Sequence, residues 1–205
     1  MHALTWGQMN GDVLTANHGY PVRVIVPGVA GARSVEWLDR ITVQEQESSN
    51  YYQQHDYKIL PPEAVDQQTA EKYWDETPAL QEMPINSIIE TPSSGEGISL
   101  PGNGSIDVRG YAVPQGDSES VTKVETSVDG GKTWEEADIV GGIEGRGKWC
   151  WVLWRTPVKL EKGEKKSILS RAEDAGGNIQ GQIAEWNLRG VAYNGYGEAR
   201  DLSIL

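Results

Sequence analysis

The sequence predicts a mainly β protein whose later part is an immunoglobulin-like antiparallel β-sandwich. Two observations carry this expectation. The 205 residues include 24 Gly and 10 Pro beside 8 Trp and 8 Tyr, a composition of short aromatic strands joined by tight turns rather than of helical bundles. From Ile85 onward, short alternating segments recur between turn clusters, and about seven such strands suffice for a two-sheet sandwich.

Taken in order, residues 1–47 carry strand signals at Leu4 to Gln8, Val22 to Val26 and Trp37 to Gln44, separated by Gly, Asn and Pro turns. These are too few to close a core, so this stretch is expected to be a fragment of a larger domain. Residues 48–84 shift to Gln, Glu, Ser, Tyr and Pro without sustained periodicity, which predicts a linker. Its tyrosines, with Trp74, imply that it wraps over a neighbouring surface, because a free linker would lack them. Residues 85–205 hold the sandwich, with segments at Ser105 to Tyr111, Val121 to Val128, Thr133 to Ile139, Lys148 to Trp154, Lys166 to Ala172 and Gln182 to Leu188. Both faces are apolar through Trp149 to Trp154, so that strand is expected to be central or covered by a partner.

Charge and cysteine usage narrow the partners. A formal net charge of −12 opposes nucleic acid and anionic membranes as partners, since both select a basic footprint. No apolar run approaches the roughly 20 residues of a membrane-spanning helix. The first residues lack the basic and apolar regions of a targeting sequence. The single cysteine, Cys150, excludes an internal disulfide framework; between Trp149 and Trp151 it reads as a small buried hydrophobe.

Chemistry is suggested by two segments far apart in the chain. His18-Gly19-Tyr20-Pro21-Val22-Arg23, continuing through Pro27-Gly28 to Arg33-Ser34-Val35-Glu36-Trp37-Leu38, places a guanidinium, an imidazole and glycines around short strands. Such a set can converge on phosphate-like oxygens, although by residues alone it equally describes a turn with surface charge. The second segment is Trp186-Asn187-Leu188-Arg189-Gly190, with Arg189 at the end of an expected strand. Ser127-Val128-Asp129-Gly130-Gly131-Lys132-Thr133-Trp134 fits a hairpin with an Asp-Gly-Gly turn; it also fits the repeated box of sialidase propellers but occurs once. Gly141-Gly142 and Gly176-Gly177 read as turns, because no Lys-Ser/Thr follows them.

The order and spacing of Met9-Asn10-Gly11, His18-Gly19, Pro21-Val22-Arg23, Pro27-Gly28 and Arg33 to Leu38 resemble the C-terminal part of the sulfite oxidase family of molybdenum enzymes. Tyr51 to Pro62 is similar to that family's inter-domain segment, Ser127 to Trp134 to its sandwich hairpin, and Trp186 to Gly190 to its closing strand. The resemblance implies that 1–47 end a molybdopterin-binding α+β domain and that 85–205 form the dimerisation domain of a homodimer. It implies that His18 contacts the pterin, that Arg23 pairs with the pterin phosphate, and that Ser34, Val35 and residue 36 contact the same group. The family has Lys where this chain has Glu36, so either Glu36 faces solvent or cofactor affinity is reduced. It further implies that Arg189 reaches the pocket of the substrate anion. Related nitrate reductases carry an apolar residue there, which tilts the expectation toward sulfite oxidation to sulfate.

The family's cysteine ligand to molybdenum lies upstream of the His-Gly run and has no counterpart here. A molybdenum-molybdopterin cofactor is therefore expected only together with an upstream half, and the chain alone is expected to be inactive. Two further readings stay open: a non-catalytic β-sandwich interaction module, and a piece of an assimilatory nitrate reductase. Relatives occupy the mitochondrial intermembrane space, cytoplasm or peroxisome, and the sequence favours none of these.

Overall fold

A computed structural model describes residues 4–140 and 147–205. The chain divides into two units, Met1–Met83 with Glu185–Tyr193 and Pro84–Ala184 with Asn194–Leu205. The Gly141-Gly142 turn lies outside the described residues.

In the first unit β1 (Leu4–Trp6), β2 (Gln8–Met9), β3 (Asp12–Val13) and β4 (Arg23–Ile25) are short. β2 and β3 form a hairpin across Asn10-Gly11, whose φ values of 55° and 91° are those that a two-residue loop of this type requires. β1 pairs antiparallel with β4, Trp6 opposite Arg23. The strand expected over Trp37 to Gln44 does not form. Trp37 has φ 50°, which turns the backbone out of the extended region, and residues 39–50 run exposed without a ladder.

Residues 48–83 carry more local structure than their composition suggests. A π-helical turn spans Tyr52–Asp56, and a helical turn at Gln67–Ala70 is capped by Asp66, which accepts from the Thr69 N–H at 2.8 Å while Thr69 Oγ1 accepts from the Asp66 N–H. Leu60, Ala64 and Ala70 are buried together, with Tyr73, Trp74 and Leu188 packed against them.

The second unit is a two-sheet sandwich. Its strands are β5 (Asn86–Thr91), β6 (Gly97–Ile98), β7 (Ser105–Val113), β8 (Val121–Ser127), β9 (Glu135–Glu136), β10 (Asp138–Val140), β11 (Val152–Lys159), β12 (Gly163–Asp174) and β13 (Gly197–Ile204). One sheet has the order β10-β11-β7-β5, and the other β6-β13-β12-β8-β9. Strict alternation explains the layering: in β11, Val152, Trp154, Thr156 and Val158 point inward while Leu153, Arg155, Pro157 and Lys159 point out. Val152, Trp154 and Val158 join Ile106, Val108, Val121, Val124, Ile168 and Leu202 in one core.

Three expectations from the sequence fail in this part of the chain. No strand runs over Gln182 to Leu188, where Ile183 and Trp186 are exposed; the closing strand is Gly197–Ile204, paired with β12. Gly197 makes this possible, since a Cβ there would stand 2.4 Å from Ser170 Oγ and 2.6 Å from the Ser87 carbonyl oxygen. The strand expected to begin at Lys148 begins at Val152. Asp117 takes Lys148 Nζ at 3.0 Å and accepts from the Trp149 indole N–H at 3.2 Å, which holds the preceding residues in a turn. Cys150 is consequently exposed rather than a buried hydrophobe.

Candidate functional site

The residues singled out in the N-terminal run come together in the first unit. Ala16–His18 form a single 3-10 turn ending at Gly19, whose φ is 91°. A Cβ on Gly19 would lie 3.0 Å from Glu36 Cβ and 3.2 Å from both Glu36 Cα and the Trp37 nitrogen, so only glycine lets the loop after His18 approach residues 36 and 37 this closely. The Trp37 indole N–H closes the clasp by donating to the Ala16 carbonyl at 2.8 Å. β4 is tied to the same segment, with Val24 N–H donating to the Val35 carbonyl at 2.8 Å and Leu38 N–H to the Val22 carbonyl at 2.8 Å.

Inside this clasp Arg23 NH1 lies 3.0 Å from Glu36 Oε1 and donates to the His18 carbonyl at 3.2 Å. The two side chains are only 19% and 30% exposed. Arg23 Nε is buried and has no hydrogen-bond partner. His18 itself is exposed, and its Nδ1 lies 2.7 Å from Thr15 Oγ1. Ser34 presents its hydroxyl to the Val26 N–H at 3.0 Å, while its own N–H is taken by the Gly31 carbonyl. Val35 is exposed and contributes a backbone carbonyl to β4.

Arg33, not singled out as a separate site residue, is held beside this group. Its guanidinium donates to the Leu80 carbonyl at 3.2 Å, sits 5.8 Å from the Tyr57 ring centre, and has a buried, unpartnered Nε. A cleft of about 560 Å3 lies here, lined by Arg33, Val35, Asn50, Tyr52, Gln53 and Tyr57 among others.

Arg189 belongs to the first unit as well but occupies a turn, not a strand end. Asn187 closes that turn by accepting from the Val191 N–H and donating to the Val191 carbonyl, both at 3.1 Å. Arg189 NH2 pairs with Asp56 Oδ1, at the end of the Tyr52–Asp56 turn. Nothing in the sequence pointed to Asp56, 133 positions away. Arg23 and Arg189 thus each meet a carboxylate of the chain itself. Among the described residues no group of three or more His, Cys, Asp or Glu could hold a metal ion. Every donor here suits an anion rather than a cation.

Comparison with known proteins gives this geometry its context. Residues 77–199 match the family described as the Mo-co oxidoreductase dimerisation domain, and residues 2–52 match the oxidoreductase molybdopterin binding domain. The chain is 40% identical to the mitochondrial sulfite oxidase of Homo sapiens over 193 residues, which is 92% of this chain and 34% of that protein. It is 41% identical to the sulfite oxidase of Gallus gallus over 191 residues, covering 90% of this chain and 39% of that one. An NADH nitrate reductase of Brassica napus is 40% identical over 196 residues, 21% of its length. The chain thus spans about a third of the length of the animal sulfite oxidases it matches. The crystal structure of the sulfane dehydrogenase SoxCD from Paracoccus pantotrophus superposes with a TM-score of 0.73 at 24% identity, over 98% of this chain and 51% of that one, and shares its fold.

Proposed function

The chain belongs to the molybdenum-cofactor oxidoreductases that carry the Mo-co dimerisation domain, and from that premise we propose that it is the C-terminal portion of a sulfite oxidase-type enzyme. In this reading residues 1–47 complete a molybdopterin cradle, 48–84 connect, and 85–205 dimerise. The observation that carries it is the clasp around Arg23. This part-buried guanidinium is satisfied only at NH1, by Glu36 and the His18 carbonyl, and its Nε has no acceptor, which leaves its fork one partner short of the pair that a phosphate would supply. By this test the residues fit the phosphate end of a molybdopterin.

Arg23 would hold that phosphate, the exposed imidazole of His18 would border the pterin, and Ser34 and Val35 would line the approach to it. The bound molybdenum would supply two-electron exchange with the substrate anion. Arg189 attracts and orients that anion, and Asp56 fixes the direction of its guanidinium. Sulfite is favoured over nitrate because a cation, rather than an apolar side chain, stands at this position.

The same reading includes a homodimer through the sandwich. Across the four-stranded sheet, Ile88, Tyr111, Leu153 and Val140 are in register as one outward row, and Trp151 stacks on Tyr111 at 4.7 Å. Trp151 and Leu153 are 58% and 56% exposed, so large apolar side chains adjoin one another on this face, as they do at association surfaces. Beside the row stand Arg109, Arg155, Glu90 and Asp138, a mixture that can complement itself across a two-fold axis. The outer face of the five-stranded sheet instead carries the Lys123–Glu125–Arg171 ion pairs. A second copy of this chain is therefore the occupant that the apolar face fits.

The test is a graft in which this chain replaces the matching segment of Gallus gallus sulfite oxidase. The graft is expected to oxidise sulfite, and Arg189→Leu is expected to raise the KM for sulfite at least tenfold. A graft that binds pterin but oxidises no sulfite would refute the substrate assignment.

A further inference from the structure

The cradle carries an anion of its own. Glu36 is neither turned to solvent nor merely near Arg23; its Oε1 lies 3.0 Å from Arg23 NH1, with both side chains largely withdrawn from water. Burial of this degree strengthens the attraction beyond that of an exposed pair. Residue 36 is also fixed from both sides. The Val35 carbonyl is bonded to β4, the Trp37 indole to Ala16, and Gly19 packs against the Glu36 backbone. The carboxylate thus reaches Arg23 from an anchored main chain, not from a mobile loop.

A guanidinium holds a carboxylate or a phosphate through the same N–H groups, so the two compete. A phosphate arriving at Arg23 must displace Glu36 Oε1 or sit beside an uncompensated carboxylate, and both outcomes cost binding energy. Arg23 Nε remains unpartnered, so Glu36 satisfies the fork only in part. We propose that Glu36 is an internal counter-ion occupying the place of an external phosphate-class anion on Arg23, and that it sets how weakly this chain holds such an anion. The inference rests on the reading of Arg23 as the phosphate-binding residue.

Binding of inorganic phosphate and of pyrophosphate to the full 205-residue chain tests this, by titration calorimetry at low salt. Glu36→Gln is expected to bind about five- to tenfold more tightly than the unmodified chain, the effect of removing one partly screened charge. Glu36→Lys should gain at least as much. The gain should vanish when Arg23→Ala is added, and Glu71→Gln, an equal charge change at an exposed helical turn, should leave binding unchanged. Near-ultraviolet circular dichroism establishes that each variant keeps its packing, and the Gln and Lys variants serve as alternates if one does not. An equal gain in Glu71→Gln, or a gain that survives Arg23→Ala, would overturn the proposal by assigning the effect to net charge. Loss of binding in Arg23→Ala with no gain in Glu36→Gln would overturn the counter-ion and leave the phosphate reading intact. No response to any Arg23 or Glu36 variant would overturn both.

Discussion

Asp129 shows how a single side chain can organise a turn. Its carboxylate accepts from Ser127 Oγ, the Lys132 N–H, the Thr133 N–H and Thr133 Oγ1, at 2.6 to 3.0 Å. Those bonds, the Thr133 hydroxyl first, hold its carboxyl well below the ordinary carboxylate range. A depressed folded-state value stabilises the fold fully above the unfolded value of 3.8, and the contribution is lost as pH falls through the lower folded value. Asp129→Ala should therefore lower the urea midpoint equally at pH 7 and pH 5, with the difference from the parent shrinking only below about pH 4. A difference already shrinking at pH 6 would contradict this. Packing is as decisive at Gly110, where a Cβ would meet the Ile88 carbonyl oxygen at 2.0 Å and the Trp154 ring at 2.4 Å. Gly110→Ala should destabilise by about 1–3 kcal/mol or more, while Gly102→Ala, with open space, should be near neutral in the same unfolding series. The Asp-Gly-Gly turn was legible in the sequence because glycine alone readily takes the φ values of 78° and 86° found at Gly130 and Gly131. The pairing of Arg23 with Glu36 and of Arg189 with Asp56 was not, because ion pairs between distant segments leave no spacing to read.

At the scale of elements, alternation was legible wherever one sheet face is buried, as in β7, β8 and β12. It misled at Trp149 to Trp154, where apolar residues on both faces suggested a strand beginning four residues too early. The outward half of that apolar character belongs to the exposed row through Leu153. It also misled at Gln182 to Leu188, whose Ile183 and Trp186 are exposed, while the outward row of the strand Gly197–Ile204 is charged at Glu198 and Arg200 and so carries no apolar signal. Glu125, on the same five-stranded sheet, contrasts with the apolar row of the four-stranded one: burial alone would raise its carboxyl, but hydrogen bonds from Lys123 and Arg171 overcome this and hold it below the usual range. Such a face satisfies its charges within the chain and leaves little for a partner. The apolar row makes a direct prediction. Leu153→Asp should weaken self-association at least tenfold in sedimentation equilibrium, whereas Glu198→Ala should not change it. A Leu153→Asp chain that remains as dimeric as the parent would move the contact elsewhere.

For the whole molecule, the two units divide the proposed work, one bearing the anion-binding residues and the other the self-association face. The family motif singled out His18, Arg23 and Ser34, and the clasp through Gly19 and Trp37 supplies the physical reason the loop after His18 lies against residues 36 and 37. The single cysteine is exposed in a turn of the sandwich unit, whereas His18 and Arg23 belong to the other unit. Because the resemblance places the thiolate ligand of molybdenum at a cysteine with no counterpart in these residues, the purified chain with added molybdate should show no sulfite-dependent reduction of an acceptor, and Cys150→Ser should change nothing in that assay. The central claim is that this chain completes a molybdopterin site. Its most direct test is the pterin and molybdenum content per subunit of the Gallus gallus graft, compared with the same graft carrying Glu36→Lys or Arg23→Ala. The account predicts pterin in the graft, more of it with Glu36→Lys, and loss with Arg23→Ala; a folded, dimeric graft without pterin in both the parent and Glu36→Lys forms would contradict it.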